Sequence, residues 1–199
     1  MIVNENTPAL ETKRLILRKF TENDADALFE VLSDTDVNTF LPWFPLKNIN
    51  EAKLFLEEHF LSYYNNSSSY RYAICLKEKK GPIGYVWLSN SESCDFGYGL
   101  KKEYWHQGIA TEASKAVVDR IKSVGYSYIT ATHDRNNPRS GEVMKQIGMT
   151  YKYSYVEKWQ PKNISVTFRM FQRNFDGNEE QTYMGYWNKY ANHFVENNL

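Results

Sequence analysis

Tyr104-Trp105-His106-Gln107-Gly108-Ile109-Ala110-Thr111 is the stretch on which the reading of this chain turns. A strand-like run, Cys94 to Leu100 (CDFGYGL), precedes it; Ala113, Ala116, Val117, Ile121 and Val124 follow at helical spacing, closed by Gly125. A small-residue turn between strand and helix leaves the first N–H groups of the helix without intrahelical partners. Together with the helix dipole they make a seat for a phosphate. Gly108 permits close approach of a ligand, and Ala110 keeps the turn uncrowded.

Outward from this turn the chain reads as one continuous domain without repeats. Arg14 to Phe20 alternates apolar and basic residues, as a strand with one wet face does. Thr21, with Asp24 three residues on, starts a helix carrying Ala25, Leu28, Phe29 and Leu32; Phe40 to Asn48 holds two prolines and reads as a loop. A second helix begins at Asn50 and ends before the polar tract Asn65 to Ser69. Tyr70 to Lys77 and Ile83 to Leu88 then form a meander with Cys94 to Leu100 through short hairpins. Beyond the pivotal turn come a fifth strand (Tyr128 to Thr132), a helix of about Ser140 to Ile147, and two aromatic strands, Tyr151 to Trp159 and Ile164 to Phe171. The composition of residues 173–199 places Tyr183, Tyr186, Trp187, Tyr190 and Phe194 at spacings of three and four, which predicts an amphipathic C-terminal helix packed on the chain's own domain.

Composition narrows the function classes. The 199 residues carry 24 basic and 24 acidic side chains, so no long-range field draws the protein to nucleic acid or an anionic membrane. Two cysteines, Cys75 and Cys94, fall far short of a disulfide framework and read as reduced, buried thiols; no metal-ligand spacing is present. No leader or membrane-length apolar run is visible, which predicts a soluble cytoplasmic protein. Sequon matches at Asn65, Asn66 and Asn163 are accordingly chance. The 16% aromatic content reads as core and cleft wall.

Trp105-His106-Gln107-Gly108-Ile109-Ala110, continued by Thr111-Glu112-Ala113, resembles the pyrophosphate loop of the RimJ and RimL branch of the GNAT N-acetyltransferase superfamily, usually W-G-Q-G-x-A-T-E-A. Three further motifs fall in the same order: Leu10 to Arg18 resembles the family's first strand and Phe96 to Leu100 its fourth. Asn137-Pro138-Arg139-Ser140 through Lys145-Gln146-Ile147-Gly148-Met149 resembles its N-x-x-S…K-x-x-G-[FM] segment. The resemblance implies an α+β (mixed α/β) GNAT acyl-CoA N-acyltransferase fold. Its mixed, mostly antiparallel seven-stranded sheet would be splayed between strands four and five, with helices on both faces. It implies a domain over residues 1–172 with residues 173–199 as an extension, acetyl-CoA as cosubstrate, no metal, and an amine acceptor as partner in a monomer or homodimer.

By the same resemblance His106, Gln107, Gly108, Ile109, Ala110 and Thr111 would hold the diphosphate. Main-chain groups of Tyr98, Gly99 and Leu100 would bond the pantetheine arm, with Asn137 and Ser140 beside it. Two positions depart from the pattern. His106 stands where the family has Gly, its imidazole directed either to solvent or to a phosphate. Met144 stands where many members carry the tyrosine that protonates the leaving thiolate. Ser140 is the candidate acid, or else a helix N-cap. Asp95 is the candidate base, with Glu157 behind it; Asp95 shares a face with Gly97 and Gly99, which would leave room for substrate, and otherwise reads as a solvated strand-edge carboxylate. Trp43 and Phe44, with Phe40 and Pro45, occupy the acceptor-binding region or plug two helices. Acylation of a polyamine or antibiotic, or acyl-CoA binding without turnover, are the alternative activities; no GxGxxG or Walker pattern supports a nucleotide or flavin protein.

Overall fold

A computed structural model describes residues 6–65 and 70–197; the first five residues of the start, and Asn66 with the rest of the polar tract through Ser69, lie outside the described residues. Two antiparallel sheets organise the chain. The first runs β1 (Leu10–Glu11), β2 (Leu15–Arg18), β3 (Tyr70–Leu76), β4 (Pro82–Leu88), β5 (Phe96–Leu100) in spatial order. The second is ordered β6 (Tyr128–Asp134), β8 (Ile164–Asn174), β7 (Thr150–Trp159), β9 (His193–Phe194). The two-residue strands at either end shift the count, so the predicted fourth and fifth strands are β5 and β6. These two touch at a parallel bridge, Asp95 with Thr130, where the Thr130 N–H donates to the Cys94 carbonyl at 3.1 Å. Beyond that point β5 pairs with β4 alone and β6 with β8 alone. The sheet is therefore parted along the length of β5, as the family resemblance implies.

Among the described residues six helices cover the sheets: α1 (Ala25–Leu32), α2 (Thr35–Asn38), α3 (Ile49–His59), α4 (Ile109–Ser123), α5 (Pro138–Gln146) and α6 (Gly185–Lys189). Helix α4 buries Ile109, Ala113, Val117, Val118 and Ile121 against Val86, Leu88, Phe96 and Leu100 of one sheet and Ile129 and Ala131 of the other, so it spans the split from one side. On the opposite side, α1 and α3 pack Leu28, Leu32, Leu56 and Phe60 on Ala73, Cys75 and Tyr85. Burying a Leu, Val or Phe side chain contributes roughly 1.5–3 kcal/mol, and the α4 cluster joins the two half-sheets.

Helix α1 starts where Thr21 and Asp24 predict, after a single 3-10 turn. The Asp24 carboxylate accepts the Thr21 N–H at 2.7 Å and takes both Arg18 Nη atoms at 2.7 and 2.9 Å. Helix α2, which has no apolar periodicity of its own, forms because the Asp34 side chain accepts from the N–H groups of Asp36 and Val37.

The C-terminal stripe behaves differently from its prediction. Only Gly185–Lys189 is helical; Tyr190 is extended and β9 then pairs with β7. The aromatic spacing instead serves ring stacking: Tyr186 and Tyr190 lie 5.1 and 4.8 Å from Tyr155, and Trp187 lies 3.9 Å from His193. This tail covers the face of the second sheet that carries Tyr153, Tyr155 and Phe168. Its end is clasped by Glu196, which accepts from Arg169 Nε at 2.9 Å, Arg169 Nη2 at 2.6 Å and Ser154 Oγ at 2.6 Å. Both cysteines are free, but Cys94 is only half-buried. Among the described residues no helix is long and apolar enough to cross a membrane, and no group of three or more His, Cys, Asp or Glu side chains could hold a metal ion.

Candidate functional site

The turn before α4 is open. Gly108, the N-cap residue, is left-handed at φ 70°, and the first intrahelical bond runs from the Glu112 N–H to the Gly108 carbonyl at 3.0 Å. Among the described residues no carbonyl or side chain accepts from the N–H groups of residues 106–111. His106, Gln107 and Gly108 are exposed, while Ala110 and Thr111 are half-buried. Six main-chain donors at the positive end of a 15-residue helix, beside a parted sheet, fit a diphosphate. His106 adopts φ 61°, the conformation for which the family's Gly is suited, and its side chain is exposed.

The turn is braced by residues far away in sequence. Glu112, in the first turn of α4, accepts the Thr12 hydroxyl at 2.6 Å, the Arg14 N–H at 2.9 Å and Arg14 Nε at 2.7 Å. Arg14 Nη1 also donates to the Gln107 carbonyl at 2.9 Å, the Trp105 indole to the Leu100 carbonyl at 3.0 Å, and the Thr111 hydroxyl to Gln146 at 2.8 Å. Burial would raise the Glu112 carboxyl, but its bonds to Thr12 and Arg14 outweigh that and hold it below the usual range. Two motifs read separately in the sequence, around Arg14 and around Glu112, are thus one mechanical unit. Leu100 was expected to offer its main chain to the ligand; its carbonyl is engaged by Trp105.

Across the gap stands α5. Asn137 is its N-cap and Pro138 its first residue, so Ser140 lies within the first turn and does not cap it. Ser140 instead meets β5: the Tyr98 hydroxyl donates to the Ser140 carbonyl at 2.6 Å and lies 3.0 Å from Ser140 Oγ. Burial pushes the Tyr98 phenol well up, so it stays neutral. Met144 is 1% exposed and belongs to the core. Gly141 lets α5 approach β6, since a Cβ there would lie 2.7 Å from the His133 ring.

Asp95 sits where the sheets part. Its Oδ1 is buried without a hydrogen-bond partner among the described residues, and burial pushes its carboxyl up to about 7, with Arg71 opposing the rise. The reading of Asp95 as a solvated strand-edge carboxylate is therefore corrected. So is the expected vacancy beside it: a Cβ on Gly97 would fall 1.8 Å from the Trp87 indole and one on Gly99 2.6 Å from the Tyr85 ring. The two glycines make room for rings of β4. Asp95 lies within charge range of Arg71 on β3, Tyr155 on β7, and Tyr183 and Tyr186 of the tail. Lys162, from the β7–β8 hairpin, crosses to α2 and donates at 2.8 Å to both the carbonyl and Oδ1 of Asn38.

Trp43 packs on Phe55 and His59 of α3 at 5.2 and 6.3 Å between ring centroids, with its indole N–H buried and unpartnered among the described residues. Phe44 is 55% exposed beside it. Glu157 lies on β7 within charge range of Tyr155 and Tyr190. Sequence reasoning passed over Arg71, Asn38 and Lys162 and read Tyr186 only as part of the tail's stripe; their placement depends on strand register and on a contact 124 residues long in sequence.

The acetyltransferase (GNAT) domain family matches residues 14–150. The uncharacterized N-acetyltransferase YoaA of Bacillus subtilis is 30% identical over 71% of this chain and 82% of its own length. Among solved structures, the ribosomal alpha-N-protein acetyltransferase RimL in complex with coenzyme A superposes with a TM-score of 0.75 at 17% identity, covering 86% of this chain and 100% of that one. The microcin self-immunity acetyltransferase MccE, in complex with acetyl-CoA and AMP, reaches 0.72 at 16% identity, covering 82% and 93%.

Proposed function

This chain belongs to the GNAT family of acetyltransferases, and we propose that it acetylates the α-amine of a protein N-terminus by direct attack within a ternary complex. As an acetyl-CoA-dependent N-acetyltransferase, it needs three things: a grip on the acyl donor, a neutral amine, and a proton for the departing thiolate. In this reading the N–H groups of His106 to Thr111 hold the diphosphate, with Asn137 and the main chain of Tyr98 and Gly99 along the arm.

Asp95 takes the amine proton. Its carboxyl, raised by burial to about 7, is balanced to exchange protons at neutral pH, unlike a solvated carboxylate. The freed nitrogen lone pair attacks the thioester carbonyl carbon, the carbon–sulfur bond breaks, and Ser140 Oγ donates a proton to the sulfur and regains, through water, the second proton that the nitrogen sheds on becoming an amide. Met144 has no proton to give and is closed off in the core. Trp43 and Phe44 form the acceptor's outer rim.

The observation that carries this reading is the open turn at residues 106–111 beside the parted β5 and β6. RimL, whose name states an alpha-N-protein acetyltransferase, shares the fold and supports a protein N-terminus as acceptor. A thiol-release assay of acetyl-CoA against ribosomal N-terminal peptides, polyamines and aminoglycosides tests it. Turnover with the peptides supports the assignment. Turnover confined to polyamines or aminoglycosides replaces it with a small-molecule acceptor, and acetyl-CoA binding without turnover replaces it with a noncatalytic acyl-CoA module.

A further inference from the structure

Arg71 is 6% exposed, yet no carboxylate among the described residues forms an ion pair with it. Its Nη1 donates to the Leu88 carbonyl at 3.2 Å, its Nε is buried without a partner among the described residues, and the Tyr63 and Trp87 rings flank the guanidinium at 4.3 and 5.0 Å. Buried charges are ordinarily paired, because an unpaired one loses its hydration for nothing. Arg71, which is buried, and Asp95, which is half-buried with its Oδ1 enclosed, are thus two groups of opposite charge, each with an unsatisfied polar atom.

Strand register puts them on one face. Arg71 pairs across β3 and β4 with Trp87, and Trp87 across β4 and β5 with Gly97; Asp95 is two residues from Gly97 and projects to the same side. The bond to Leu88 draws the guanidinium over β4, the strand next to Asp95. They feel each other's charge but do not close to an ion pair. A ligand that met both the proton acceptor and the planar cation would carry an amine at one end and an anionic oxygen pair at the other.

We infer that Arg71 is the specificity-determining residue for the acceptor, binding a carboxylate carried close to the amine that Asp95 serves. Guanidinium takes carboxylate through two parallel bonds, which fixes the amine's direction as well as its distance. A buried cation beside the base repels acceptors with several ammonium groups, so polyamines are poor substrates. The inference rests on the acetyltransferase reading with Asp95 at the reacting amine, and narrows the acceptor to an amine that carries a carboxylate: a polypeptide whose first residue is acidic or, in place of the polypeptide, a free α-amino acid.

The test compares acceptors on the intact protein. With acetyl-CoA saturating, kcat/KM is measured for a free amino acid against its carboxamide, for N-terminal peptides beginning with Asp against Asn, and for spermidine. The wild type should prefer at least one member carrying the carboxylate over its amide by about tenfold or more, through KM, and the member preferred identifies the source of the carboxylate. Arg71→Met should erase that preference and Arg71→Lys retain part of it, with acetyl-CoA affinity unchanged in both. Equal rates for acid and amide in the wild type would overturn the inference without any variant, as would an Arg71→Met protein that slows all acceptors alike while keeping the preference. Absence of turnover with every amine overturns the activity reading and this inference with it, whereas good turnover of amides or spermidine overturns the inference alone.

Discussion

The Tyr98 hydroxyl donates at 2.6 Å to the main-chain carbonyl of Ser140, which ties the open edge of β5 to the first turn of α5 across the parted strands. It also fixes Ser140 Oγ at 3.0 Å, on the wall of the gap where the thioester sulfur would lie. Ser140→Ala should lower kcat by roughly 100-fold, within the range for loss of a positioned proton donor, with acetyl-CoA affinity little changed. Tyr98→Phe removes only the hydrogen bond that holds the serine and should cost roughly tenfold or less. Steady-state kinetics with direct binding measurements separate the two; full turnover by Ser140→Ala would remove it as the acid.

Asp95 sets the pH dependence. A base with its carboxyl at about 7 must lose its proton to work, so kcat/KM should rise about tenfold per pH unit below 7 and level off above about 8. Asp95→Asn should flatten that limb and lower the plateau. Stability runs the other way. The folded state holds this proton more tightly than the unfolded chain, so ionisation between about pH 4 and 7 destabilises the fold. Denaturation midpoints of Asp95→Asn should therefore gain on the wild type as pH rises through that window.

Much of this site could be read from residue order. The strand, open turn and helix around Gly108 follow from local rules, because phosphate-binding amides are a property of a helix end. The parted sheet followed only from the resemblance, since no residue in β5 or β6 announces a missing neighbour. What stayed hidden was set by register and by rings. Gly97 and Gly99 looked like space, and Trp87 and Tyr85 fill it. The tail's aromatic spacing imitated a helix, while its rings are spent on Tyr155 and its backbone on β7. Arg14 and Glu112, 98 residues apart, could not be paired by periodicity.

Gly108 separates charge from strain. Any side chain at its φ of 70° costs roughly 1–2 kcal/mol, so Gly108→Ala and Gly108→Glu should lose similar thermal stability. The Glu variant should in addition lose acetyl-CoA binding by roughly 100-fold or more, since its carboxylate would occupy the phosphate's place. Calorimetric titration of both variants checks the difference; equal affinities would count against the turn as the anion seat.

The brace predicts coupling at a distance. Arg14→Ala and Glu112→Gln should each weaken acetyl-CoA binding by roughly tenfold through loss of charge-assisted bonds that hold the turn. The double variant should be little worse than either single one, because both remove the same constraint. Additive losses would mean that the two act separately.

The tail has its own signature. Arg169 and then Ser154 hold the Glu196 carboxyl down at about 2, so the stability it adds is full above the ordinary carboxylate range and fades as pH falls through 4.5 toward 2. Glu196→Gln should cost roughly 1–3 kcal/mol at neutral pH and shrink the acid-side loss, as thermal melts across that range would report.

Amide proton and nitrogen shifts recorded while coenzyme A is titrated into the labelled protein bear most directly on the phosphate seat. The account predicts the largest downfield amide shifts at residues 106–111, with lesser changes along β5 and at Asn137. Unmoved amides at 106–111, with the main changes at another helix end or surface, would contradict it.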